Sequence, residues 1–107
     1  MNYAVMVLPE ATEDLIDLHY YIANHDSLTR ANMLLDILEE KCLCLGRDPQ
    51  RGHIVPELAQ VYIEGFREIH YKPWRIIFQI SGDRVYIHAV LDGRRELCEV
   101  LERRMLR

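Results

Sequence analysis

Basic side chains that alternate with apolar ones are the residues of this chain best suited to chemistry. Three of them lie in or beside two strand-like segments joined by a tight turn: Arg67, Lys72 and Arg75. Because an unpaired buried guanidinium is costly, we expect these cations to line an open sheet face. Antiparallel pairing of the two strands would bring them into one patch suited to an anionic partner. The alternative is a set of surface ion pairs with Glu64, Glu68 or Asp83.

A second charged motif, Asp92-Gly93-Arg94-Arg95, precedes the last helical segment. Asp92 is a suitable helix cap, but Arg94 and Arg95 place two positive charges at a helix N-terminus, where anions are favoured. A local rule that is broken without gain is typical of a functional site. An ordinary salt bridge to Glu68 or Asp92 would also explain the two arginines.

The histidines form a third set: His19, His25, His53, His70 and His88. They show no two-ligand helix spacing and no cysteine at metal-ligand distance, so we expect no metal site and no cofactor. His70 and His88 lie in nearby predicted strands, where either can act as an acid or base near neutral pH. The alternative for each is a hydrogen-bonded sheet histidine. Trp74 can stack on a nucleobase or pack against its neighbours.

Length and charge narrow the function classes. The chain has 107 residues and a formal net charge of -4, which predicts one domain over residues 1–107 and argues against binding of nucleic acid mainly through phosphates. Residues 1–45 carry eight acids and two bases, net -6, whereas residues 46–107 carry nine acids and eleven bases, net +2. Three cysteines without a disulfide pattern, no signal peptide and no membrane-spanning run predict a cytoplasmic protein.

Apolar periodicity predicts an α+β protein. A short strand at 3–8 precedes a helix that starts at Pro9 and turns its acids Glu13, Asp14 and Asp17 to solvent. A second helix, capped by Asp26 or Ser27, ends at Gly46, so that the two helices form a hairpin on one sheet face. A loop over 47–60 with a turn at 57–60 follows, then strands at 61–63, 66–71, 74–80 and 84–91 and a short helix from 96.

The order of these motifs resembles the RelE/ParE toxin superfamily. The resemblance covers nearly the whole chain and rests on the acidic helical hairpin, the loop motif Asp48-Pro49-Gln50-Arg51-Gly52, and the later motifs Arg67-Glu68, Lys72-Pro73-Trp74-Arg75, Gly82-Asp83 and Asp92-Gly93-Arg94-Arg95. It implies an antiparallel sheet with the N-terminal hairpin on one face. It also implies a toxin of a type II toxin-antitoxin module, of the kind called plasmid stabilisation proteins, that forms a hetero-oligomer with its cognate antitoxin.

Two mechanisms occur in this superfamily. RelE-like members cut mRNA on the ribosome, where basic residues offset the developing charge and a side chain moves protons. The resemblance places Arg67, Lys72, Arg75 and Arg94 or Arg95 in the basic set. The tyrosine or histidine common in the last helix is missing here, so His70, His88 or Tyr86 would have to replace it.

ParE-like members inhibit DNA gyrase without catalysis, and the acidic balance and long hairpin favour that interpretation. The alternatives are a ribosome-dependent mRNA endonuclease and an antitoxin-binding relic that is no longer toxic. The antitoxin is expected to cover the basic sheet face with an acidic amphipathic segment. The residues predicted to bind it are Arg67, Trp74, Arg75, Arg94 and Arg95.

Overall fold

In the computed structural model, which describes residues 2–93 and 96–105, helices flank both faces of a five-stranded sheet. The strands are β1 Ala4–Val7, β2 His53–Ile54, β3 Phe66–Tyr71, β4 Trp74–Ser81 and β5 Arg84–Asp92. The helices are α1 Pro9–His25, α2 Leu28–Cys44, α3 Pro56–Gln60 and α4 Leu97–Met105, with a 3-10 turn at Pro49–Arg51. The predicted α+β fold is confirmed. Within the described ranges, every helix is too short or too polar to cross a lipid bilayer.

The strand order is β1-β5-β4-β3-β2, and all neighbours are antiparallel except β1, which runs parallel to β5. The predicted sheet was antiparallel, and the observed sheet has in addition one parallel pair, β1 with β5. The reason is that Pro9 starts α1 directly after β1, so the chain leaves the sheet instead of turning back in a hairpin. The α1–α2 hairpin then carries the chain to β2 at the opposite edge.

Local signals explain both long helices. Pro9 occupies the first turn of α1, where its missing N–H costs nothing. Ser27 caps α2 by accepting a hydrogen bond from the backbone N–H of Arg30 at 3.1 Å. The hairpin packs on one sheet face around a buried cluster: Ala11, Leu15, Leu18, Leu38, Cys42, Leu45, Ile69, Ile76, Phe78, Val85, Ile87 and Val90.

The second sheet face is also covered. Residues of α3 and α4 and of the segment before α3 pack on this face in a smaller buried cluster: Val55, Leu58, Phe66, Ile77, Ala89, Leu91, Leu97 and Leu101. The prediction of an open sheet face, made from the alternating cations, is therefore wrong. The short helices α3 and α4 close this face, because β4 and β5 present apolar side chains on both faces.

A β-bulge breaks the predicted alternation of β5. Ala89 is paired with Ile77, but Ile87 is paired with the next residue of β4, Phe78, so that His88 is the extra residue. Val85 and Ile87 therefore face the hairpin with Val90, whereas Ala89 and Leu91 face α3 and α4. Strict alternation would instead place Ala89 and Leu91 on the same face as Val85 and Ile87.

The strand predicted at 61–63 does not form. The backbone N–H groups of Tyr62 and Ile63 bond instead to the carbonyls of Ala59 and Leu58, at 3.1 and 2.8 Å. This is the Schellman arrangement that ends a helix. Its left-handed position is Tyr62, with φ of 61°. The backbone N–H groups that a strand would have used in sheet hydrogen bonds are therefore bonded within the end of α3.

Candidate functional site

The predicted cationic patch does not form, because Arg67 and Arg75 project from opposite sheet faces. Arg67 is paired with Phe78, which belongs to the core beneath the α1–α2 hairpin, and directly opposed residues share a face. Arg75 instead reaches Glu57 on α3, on the other face. Lys72 is exposed in the β3–β4 turn. Closeness in sequence across that turn did not show which face each side chain takes.

Arg67 fastens the loop that precedes β2. Its guanidinium donates to the carbonyl of Gln50 at 3.1 Å and also to the carbonyl of Gly52. Gly52 is buried against the ring of Phe78, where a Cβ atom would lie 2.6 Å from Cζ. The loop can approach the sheet this closely because glycine has no side chain. Arg67 is therefore engaged in holding the fold.

Arg75 is the centre of a buried ion-pair network between α3, β3 and β4. Its Nε and one terminal nitrogen donate to the two oxygens of Glu68 at 2.9 and 2.7 Å. The same guanidinium donates to both oxygens of Glu57, once at 2.8 Å. The Glu68 side chain is fully buried and that of Arg75 is 12% exposed. The ion pair offered as an alternative for the cations is thus present for Arg75 and Glu68, in the interior rather than at the surface.

The network keeps its members charged. Burial would raise the pKa of the Glu68 carboxyl, but hydrogen bonds from Arg75 and His70 outweigh it and the pKa lies below its usual range. Hydrogen bonds from Arg75 lower the pKa of Glu57. The same bonds raise the pKa of Arg75. Two carboxylates and one guanidinium give the three side chains a net charge of -1.

Two histidines adjoin this network on the same sheet face. His70 donates from Nε2 to Oε1 of Glu68, since an ionised carboxylate can only accept. The ring of His53, on β2, packs edge-on against the ring of His70 with centroids 5.0 Å apart. The His70 side chain is 44% exposed. An exposed imidazole on a buried carboxylate can hold or pass a proton.

The other two predicted acid or base residues, Tyr86 and His88, lie on β5. Nε2 of His88 donates to the side-chain oxygen of Gln79 at 2.7 Å, and its ring packs edge-on against Phe66. Burial lowers the pKa of His88 below its ordinary value of 6.5. Tyr86 is half-buried and paired with Gln79. The alternative role, a hydrogen-bonded histidine that stabilises the sheet, therefore describes His88 better than His70.

A second buried ion pair joins α1 to α4. Arg104 donates to the carboxylate of Asp14 at 2.6 and 3.0 Å and to the backbone carbonyl of His88 at 2.9 Å. Asp14 also accepts from the backbone N–H of Val90 at 3.0 Å. The prediction that Asp14 faces solvent was wrong: it lies on the buried stripe of α1, one turn after Ala11. Its place in that spacing was the signal for a buried partner.

Two clefts remain on the described surface near these groups. One, of about 540 Å³, follows α1 and the end of β5 and is lined by Asp14, Asp17, Leu18, Tyr21, Trp74, Val90, Leu91 and Asp92. The other, of about 360 Å³, lies beside β2 and is lined by Ile54, Ala59, Tyr62, Ile63, Glu64, Gly65, Phe66 and Arg67. Arg94 and Arg95, which the sequence singled out, lie outside the described residues.

Comparison with known proteins identifies the class. A sequence model of the family described as the ParE toxin of type II toxin-antitoxin systems, parDE, matches residues 5–97. The chain therefore belongs to the ParE toxin family, and the resemblance to the RelE/ParE superfamily is confirmed. No curated protein matches the sequence significantly.

Two solved structures show how widely this fold is shared. A chain of the chromosomal ParDE toxin-antitoxin system of P. aeruginosa superposes with a TM-score of 0.71, covering 84% of this chain and 95% of that one at 15% identity. A chain of the RelBE2 toxin-antitoxin complex of Mycobacterium tuberculosis gives a TM-score of 0.65, with 86% and 92% covered at 20% identity. At such identities the likeness concerns the fold.

Proposed function

We propose that this toxin acts in the cytoplasm by binding DNA gyrase, without catalysis, and that a cognate antitoxin neutralises it in a hetero-oligomer. The proposal rests on one observation: two of the predicted catalytic cations are already bound by groups within the protein. Arg75 is bound by two carboxylates and Arg67 by backbone carbonyls. A ribonuclease needs positive groups aimed at the charge that develops on the phosphate. Of the three predicted catalytic cations Arg67, Lys72 and Arg75, only Lys72 is exposed.

The endonuclease alternative retains one supporting observation. The contact between His70 and Glu68 joins an exposed imidazole to a buried carboxylate, and such a pair can move a proton. Arg75, the arginine that contacts Glu68 in this pair, is already bound by Glu57 and Glu68 and is therefore not free to stabilise charge on a phosphate. Arg94 and Arg95 stay in the proposal as target-binding residues.

The proposed antitoxin surface comprises the two clefts. Contiguous exposed apolar side chains are characteristic of protein interfaces, and Ile54, Tyr62 and Ile63, which line the cleft beside β2, are 64, 93 and 37% exposed. Trp74, predicted to bind the antitoxin, lines the cleft along α1. Both solved relatives come from toxin-antitoxin systems, which supports an antitoxin partner. Arg67 and Arg75 contribute less than predicted, since both already serve internal bonds.

The test compares two assays on the purified protein after growth arrest has been shown in a bacterial host. We expect gyrase supercoiling to be inhibited while ribosome-bound mRNA stays intact. Replacement of Arg94 and Arg95 together by Ala should lower toxicity without unfolding the protein, whereas Arg103→Ala, at an exposed cation of α4, should not. Cleaved mRNA with unaffected gyrase would establish the endonuclease instead, and absence of growth arrest would indicate a non-toxic relic.

A further inference from the structure

Three metal-binding side chains meet where β2 pairs with β3. His53 and Glu68 are directly opposite in the antiparallel register, so they share a face. His70 follows Glu68 by two positions on β3 and points to the same side. One ligand atom from each residue lies within 4.8 Å of the others. The sequence spacing concealed this group, because β2 is joined to β3 through α3 and only the strand register aligns them.

We propose that His53, Glu68 and His70 bind a divalent transition-metal ion, with Zn²⁺ as the ion best suited to them. Two imidazoles and one carboxylate are an established zinc ligand set that leaves a fourth position for water. Tetrahedral ligands at zinc distances lie roughly 3.3 Å apart, so a gap of up to 4.8 Å between ligand atoms must close by about 1.5 Å at most. The hydrogen-bonded atoms of His70 and Glu68 must instead move apart to admit the ion. Both histidines are exposed, and rotation of their rings can supply this movement.

The surroundings of Glu68 are those of a supported metal ligand. Its carboxylate is fully buried and fixed by Arg75, which Glu57 fixes in turn. Ligating carboxylates in metal sites are usually held by such outer hydrogen bonds, which set their orientation. Oε1 of Glu68 accepts from Nε of Arg75 and from His70, and a metal would take the lone pair that the His70 hydrogen bond now occupies.

The local charge also suits a cation. Glu57 and Glu68 carry two negative charges and Arg75 one positive charge, so a divalent ion would enter a region of net charge -1. The guanidinium is directed at its two carboxylates, which limits its repulsion of the ion. The ion would replace the proton that His70 now shares with Glu68. It would also tie β2, a two-residue edge strand, to β3.

This inference does not depend on the choice between gyrase and mRNA as target. Its test is calorimetric titration of the full-length, chelator-treated protein with ZnCl₂, with Co²⁺ absorption as a second probe of coordination. We expect the wild type to bind a single ion and to melt at higher temperature with Zn²⁺. His53→Ala should weaken binding at least roughly tenfold, since loss of even an outer partner costs that much. His25→Ala, at an exposed histidine of α1, is the matched control and should bind as the wild type does.

Thermal melting of the metal-free variants separates loss of a ligand from loss of the fold. His53 is exposed, and its ring packs against another exposed side chain, His70. In the absence of metal, His53→Ala should therefore melt at the same temperature as the wild type. Absence of Zn²⁺ binding by the wild type would overturn the proposal. So would equal weakening by His25→Ala and His53→Ala, or a Co²⁺ spectrum that lacks tetrahedral character.

Discussion

Tyr62 has a left-handed backbone conformation and an almost fully exposed aromatic ring. Its φ is 61° and its exposed fraction is 93%. The position ends α3 and is one that glycine usually fills, because a Cβ atom is disfavoured there. A bulky residue at such a place indicates strain retained for another purpose. The ring lines the cleft proposed for the antitoxin, beside Ile54 and Ile63.

Tyr62→Gly should therefore stabilise the free protein and weaken its complex with the antitoxin. We expect the free energy of unfolding to rise by about 0.5–1 kcal/mol, because glycine adopts this backbone without the Cβ penalty. Urea denaturation and titration with the antitoxin measure the two effects. Tyr20→Gly is the control: Tyr20 is exposed in the interior of α1, where glycine costs about 1 kcal/mol. A loss of stability in both variants would refute the interpretation of Tyr62.

At the scale of elements, α4 is held by an ion pair as well as by its apolar residues. Leu97 and Leu101 are buried against the sheet, while Arg104 reaches past β5 to Asp14 on α1. Asp14 in turn accepts from the backbone N–H of Val90, beyond the end of β1, where β5 is paired with β4 but has no strand partner on its other side. The pair thus satisfies polar groups at an otherwise unpaired strand edge.

Loss of the arginine should release α4. Arg104→Met leaves the Asp14 charge buried without its cation, so we expect destabilisation by about 3 kcal/mol and faster amide exchange in α4. Arg103→Met is the matched control at the neighbouring position. The Arg103 side chain is 71% exposed and pairs with Glu99 one turn earlier on the surface of α4, so the change should cost less than about 0.5 kcal/mol. Similar exchange rates in the two variants would show that apolar packing alone holds the helix.

For the molecule as a whole, we expect acid to lower the free energy of unfolding through His88, the extra residue in the bulge of β5. Burial places the pKa of His88 below 6.5 in the folded protein, while Glu10 of α1 raises it and Arg104 of α4 lowers it further. As the pH falls through 6.5, the unfolded chain takes up this proton first. The contribution of neutral His88 to stability is therefore complete above about pH 6.5 and declines below it.

Urea midpoints of the metal-free protein between about pH 8 and 5.5 measure this decline. His88→Gln keeps a polar group near Gln79 but does not titrate, so its stability should fall less with acid than that of the wild type. The two curves should be parallel above about pH 7.5 and diverge below about 6.5. Parallel curves over the whole range would show that the burial of His88 has no such effect.

Features that depend on neighbouring residues could be predicted from the amino-acid sequence. Pro9 and Ser27 began the helices, β3 formed over 66–71 as predicted, and the order of motifs indicated the toxin family that the comparison confirmed. These features follow from backbone preferences and local hydrogen bonds, which act over a few residues. The candidate cations were found in the same way, by their spacing along the predicted strands.

The sheet face on which each of those side chains lies depends on the packing of distant segments. Alternation shows that successive residues in a strand face opposite ways, but not which face each packed helix covers. The sequence therefore did not reveal that Arg67 and Arg75 lie on opposite sheet faces, or that Asp14 is buried. The approach of His53 to Glu68 depends on the register between β2 and β3, which the intervening α3 and its turn establish. Contacts between distant segments, set by packing and register, built the charged network from residues that the sequence leaves apart.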